Sequence, residues 1–76
     1  MQPATPPWIR HARIELGNRI RDARLQADLT QEKLAEIAGV DRRSVQNAEA
    51  GSVDPKFSLL LRLARALGLP PRDLMP

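Results

Sequence analysis

The chemistry-bearing residues sit on one short stretch, "DRRSVQNAEAG", residues 41–51. Arg42 precedes Gln46 by four residues and Arg43 precedes Asn47 by four, and on a helix residues so spaced share a face. Arg, Gln and Asn are the side chains whose paired hydrogen-bonding groups fit the edges of bases in a duplex groove. The competing reading is a plain solvated helix face, so the elements around the stretch must decide between the two.

Other chemistries find little support. The chain has no cysteine and a single histidine, His11, which leaves no disulfide or thiolate site and little for a metal or for acid–base work. Thr5, Thr30, Ser44, Ser52 and Ser58 with that one histidine form no nucleophile–base–orienter set, and there is no glycine-rich phosphate loop. The expectation is therefore no catalysis, no cofactor and no metal. Trp8 and Phe57 are the only aromatics, too few for stacking on single-stranded nucleic acid.

The net charge of +3 and sequence pI of about 10.6 favour a polyanionic partner. The distribution is uneven: five Arg against three acids in residues 1–28, four bases against five acids in 29–56, three Arg against one acid in 57–76. The proposed reading segment is thus slightly acidic, and its bases must collect on one side with its acids elsewhere. No apolar run nears the roughly 20 residues that span a bilayer, and "MQPATPPWIRHAR" lacks the apolar centre of a secretory signal. No membrane is expected as a partner, and the expected location is cytoplasmic, at the nucleoid.

Seventy-six residues allow one small domain. Residues 1–7, with three prolines and no periodicity, read as a flexible arm, and 8–76 as the domain. Apolar residues at Trp8, Ala12, Leu16, Ile20, Ala23 and Ala27 recur by threes and fours, marking a helix. Thr5-Pro6 would start it early, and a short turn followed by a helix from near Ile14 fits equally. Gly17 in its middle costs about 1 kcal/mol against alanine. Thr30 caps a second helix, Gln31–Ala38, ended by Gly39; Asp41 caps a third, Arg42 to about Ala50, ended by Gly51. A fourth enters at Asp54-Pro55 or a residue or two later, runs to Leu67 and ends at Gly68. "LPPRDLMP" allows a last turn opening at Pro71. No strand pattern or repeat interrupts this, so the fold class is all-α.

The second and third helices are short and closely joined, so they must cross steeply. The crossing needs a small residue at the contact (Ala35), positive φ in the turn (Gly39) and inward apolar residues (Leu34, Val40, Val45). All five positions are met.

With these residues in place the chain resembles the phage Cro/repressor, or XRE-like, helix-turn-helix DNA-binding domain. The likeness runs from Leu16 to about Met75 through "LGNRIRDAR", "LTQEKLAEIAGV", "SVQNAEAG", "DPKF" and "LLRLARALGL". It implies a compact five-helix bundle of the lambda-repressor-like type, acting in transcription as a homodimer on double-stranded DNA at an inverted repeat. It implies base contacts from Arg42, Arg43, Gln46 and Asn47, a phosphate contact from Gln31, and a structural pair between Arg24 and Glu49. Ala48 and Ala27 are smaller than the family pattern, which leaves a gap beneath the third helix or one that Trp8 and Phe57 fill. Asp41 brings a negative charge near the DNA backbone.

Among the reading residues Arg43 and Gln46 are the expected base readers, with Arg42, nearest the helix start, open to a backbone contact. Gln31 at a helix N-terminus and Lys56 beside the loop are the phosphate candidates, with Arg19 and Arg21 as further ones. Leu60, Leu63, Ala64 and Leu67 form one core stripe. Leu59, Leu69, Leu74 and Met75 remain for a dimer seam or a partly exposed core edge. Arg10, His11 and Arg13 extend an arm along the backbone or merely solubilise a helix start. Trp8 belongs to the core or to dimer packing. A helical antitoxin or adaptor whose main partner is a protein is the alternative function; a protein-binding third helix would expose apolar anchors, which "RR..QN" does not.

Overall fold

In a computed structural model, which describes residues 4–76, the apolar spacing of the first segment becomes one unbroken helix, α1 (Pro7–Gln26). Pro7 is its first residue, where a ring-fixed φ suits the helix and the missing N–H has no intrahelical partner to lose. Of the expected arm, residues 1–3 lie outside the described residues, Ala4–Pro6 precede the helix, and Pro7 is within it. Leu16, Ile20 and Arg24 are buried on α1, whereas Trp8 is 71% exposed. Asp28 then takes a left-handed φ of 56°, which a short polar side chain tolerates, and the Leu29 amide returns to the Arg24 carbonyl.

α2 (Gln31–Ala38) begins where the Thr30 hydroxyl accepts a hydrogen bond from the Lys33 amide at 3.0 Å. Thr30→Ala removes that acceptor and is expected to cost about 1 kcal/mol in urea denaturation, with the slope unchanged. Gly39, at φ 71°, turns the chain into α3 (Arg42–Ala50). Asp41 occupies the N-cap position of α3 with extended backbone, but its side chain makes no capping bond, contrary to expectation. α4 (Phe57–Leu67) follows, with Lys56 at its N-cap.

The expected fifth helix is only a single 3-10 turn, Pro71–Asp73. The amides of Asp73, Leu74 and Met75 bond three residues back, and no longer ladder forms. The fold is therefore four α-helices and a turn, with no strand among the described residues.

Ile20, Leu34, Val45, Leu63 and Leu74 are fully buried, and Leu16, Ala35, Ala38, Ala48, Leu60 and Ala64 complete the core. Two expectations need correction here. Leu74 is 1% exposed inside its own domain, so its side chain is unavailable to a dimer seam. Trp8 and Phe57, each 71% exposed, do not fill the space beside Ala48. That space is closed by backbone instead. A Cβ on Gly17 would meet the Glu49 carbonyl oxygen and lie 2.6 Å from that of Ala48. The small Ala48 and the absent side chain at Gly17 let α1 press directly on α3.

Candidate nucleic-acid interface

At 100° per residue, the buried side of α3 is Val45, Ala48 and Glu49. Arg42, Arg43 and Gln46 are exposed and Asn47 is half-buried. Arg43 stands opposite the core, with Gln46 and Asn47 to either side and Arg42 nearer one flank. Ala50 shares the outward face and is exposed. Its methyl group keeps that face low, a feature overlooked when only polar residues are sought.

The helix is held from behind by a buried ion pair. Arg24 Nε donates to Glu49 Oε2 at 2.7 Å and Nη2 to Oε1 at 3.0 Å, while Nη1 donates to the Leu29 carbonyl at 2.8 Å. The side chains are 11% and 4% exposed. The hydrogen bonds to Glu49 hold the Arg24 pKa above arginine's ordinary value; burial opposes this and the charge of Glu49 adds to it. A raised pKa on a cation means its contribution is complete below the unfolded value and lost only as pH rises through the folded one. Near neutral pH it is therefore constant.

Gln31 joins this cluster: its Nε2 donates to Glu49 Oε1 at 3.2 Å. The carboxamide at the start of α2 is thus oriented by the residue that anchors α3, with one N–H still free of that bond. Lys56 lies across from α3, exposed, lining an open groove of about 310 Å3 with Ser44, Asn47 and Ser58. The first amides of α4 open beside it, with no side-chain cap. Ser44 and Ser58 had no signal in the sequence because hydroxyls follow no charge or apolar period.

Arg19 and Arg21 are engaged on α1 itself. Arg19 pairs with Glu15 at 3.0 Å and Arg21 donates to Asn18 Oδ1 at 2.9 Å. No hydrogen bond or ion pair among the described residues ties either to α3 or Lys56. The acids of residues 29–56 are largely accounted for. Glu49 is buried against Arg24, Glu36 pairs with Lys33 at 3.4 Å and Asp54 with Arg13 at 3.5 Å; Glu32 and Asp41 remain exposed. Leu59 and Leu69 are half-buried against the core, and Met75 is 51% exposed. Among the described residues no cluster of His, Cys, Asp or Glu is built to hold a metal, and no helix is long and apolar enough to cross a membrane.

Residues 20–74, from the middle of α1 to Leu74, match the helix-turn-helix family model HTH_3. The chain belongs to the helix-turn-helix family. It is 47% identical over 49 residues to an uncharacterized helix-turn-helix transcriptional regulator of Methanothermobacter thermautotrophicus, covering 64% of this chain and 71% of that protein. It is 34% identical over 59 residues to the cryptic phage CTXphi transcriptional repressor RstR of Vibrio cholerae, covering 78% of this chain and 53% of the repressor. Among solved structures, the restriction-modification controller protein C.AhdI of Aeromonas hydrophila superposes with a TM-score of 0.79 and 37% identity, over 82% of this chain and 94% of that one. The hypothetical transcription factor NHTF from Neisseria gives 0.82 and 29% over 100% and 87%. The latter match takes in the whole of α1 of this helix-turn-helix protein.

Proposed function

We propose that this chain reads double-stranded DNA sequence-specifically and regulates transcription as a homodimer on an inverted-repeat operator, with α3 entering the major groove. As a helix-turn-helix family member the chain is a DNA-binding transcriptional regulator; the operator, the dimer and the residue roles are the proposal. One observation carries it. Arg42, Arg43 and Gln46 project from the exposed side of α3 while Arg24 and Glu49 fix its buried side. Arg43 and Gln46 read base edges, Asn47 and Arg42 flank them, and Gln31 and Lys56 hold phosphates on either side. Arg19 and Arg21 would have to leave their partners on α1 to join them. The seam lies along Leu59, Leu69 and Met75, setting two copies of α3 about one helical turn, roughly 34 Å, apart. The chain then works in the cytoplasm, at the nucleoid.

Binding of single-base operator variants at two salt concentrations tests the assignment. Arg43→Ala is expected to relax preference at one base position by about 1–3 kcal/mol. Lys56→Ala should weaken all sequences alike and lower the salt slope by about one. Both variants binding every sequence as the wild type does would put the reading surface elsewhere.

A further inference from the structure

α4 carries apolar residues on both flanks of its buried stripe. At 100° per residue Leu59 falls on one flank and Phe57 and Leu61 on the other, with Ser58, Arg62 and Arg65 on the solvent side between them. The Leu59 flank belongs to the proposed seam. On the other, Leu61 (40% exposed) and Ile37 of α2 (51% exposed) line an open groove of about 540 Å3 together with Ser58, Arg62 and Arg65. Phe57 continues the apolar row one turn earlier.

The charges on this groove are one-sided. Neither arginine has a carboxylate partner among the described residues. Arg62 Nη1 instead donates to the Ala38 carbonyl at 3.4 Å, which pins the guanidinium at the end of α2. Glu36, beside Ile37 in the chain, is already paired with Lys33.

We propose that the groove between α2 and α4 docks an acidic amphipathic helix of another protein, on a surface that adjoins the α3 groove at Ser58 and Arg62 and is distinct from it at Ile37, Leu61 and Arg65. Apolar anchors spaced by three and four would rest on Ile37, Leu61 and Phe57, the pattern of a helix laid in a groove. Carboxylates along the same helix would meet Arg62 and Arg65 in charge-assisted hydrogen bonds. Charge selects the occupant. A second copy paired about a two-fold axis here would set arginines against arginines, and a nucleic acid would leave the apolar floor uncovered.

The test uses the full chain and a synthetic amphipathic peptide of about five helical turns, with leucines on one face and glutamates along its flank. Its lysine-for-glutamate version is the control. Amide chemical shifts should move saturably at residues 36–38 and 57–65 with the glutamate peptide only. Leu61→Ser and Arg65→Glu should each weaken it on the order of tenfold, with helix content by circular dichroism retained. Equal binding of the lysine peptide, no binding of either, shifts centred on residues 42–47, or self-association abolished by Leu61→Ser would each overturn the proposal. Duplex binding by Leu61→Ser is expected to equal that of the wild type, so failure here is distinguishable from failure of the DNA reading.

Discussion

Glu49→Ala is expected to destabilise the domain by about 3–5 kcal/mol, because it strands the Arg24 guanidinium in the interior without its carboxylate. That is a large share of the 5–15 kcal/mol typical of a whole domain. Three attachments go together, since Glu49 accepts from Arg24 twice and from Gln31 once. Arg24→Ala removes the cation and leaves Glu49 with Gln31 alone. The double variant should therefore cost less than the two single costs added, by about 0.5–3 kcal/mol in a double-mutant cycle. Strict additivity of the denaturation midpoints would mean that the pair does not act as a unit. The pair need not add net stability over an apolar pair of the same volume. Its use here is to fix the rotation of α3 relative to the ends of α1 and α2.

Gly17→Ala is the second large effect, and its sign runs against helix propensity. On an exposed helix the change gains about 1 kcal/mol. Here the new methyl group meets the carbonyl oxygens of Ala48 and Glu49, which are backbone and have no rotamer to escape into. Overpacking a core costs about 1–3 kcal/mol, and a contact with rigid backbone belongs at the upper end. Calorimetry should show a net loss of about 2 kcal/mol, a fall in Tm on the order of 8–16 °C for a domain this size. A rise in Tm would show that α1 does not rest on α3 at this point. The substitution also shifts α3 outward, so operator affinity should fall with it.

These two sites divide what the sequence discloses from what it withholds. Helix limits were legible because glycine and threonine act locally: Thr30, Gly39, Gly51 and Gly68 mark their ends by backbone conformation and capping, whatever packs nearby. The outward row of α3 was legible because Val45 and Ala48 supply its apolar complement. Gly17 reads as a propensity cost, since a sequence records the missing side chain but not the backbone that occupies its place. Trp8 shares a stripe with Leu16 and Ile20, yet periodicity does not tell where the neighbouring helices stop, and the first turns of α1 extend past them. Leu74 follows two prolines with no period to place it, so its burial depends wholly on the turn at Pro71–Asp73 folding back onto the core. Asp41 has the right residue type for a cap, but its side chain makes no bond to the first amides of α3.

If the exposed row on α3 reads the duplex, the sequence preference of the protein must change when that row is altered. Selection of bound sites from random duplexes, run in parallel with the wild type and Arg43→Ala, tests it most directly. The wild type is expected to enrich a short inverted repeat with half-sites about one helical turn apart, and Arg43→Ala the same repeat with one symmetric position in each half degenerate. An identical consensus from both proteins, or none from the wild type, would contradict it.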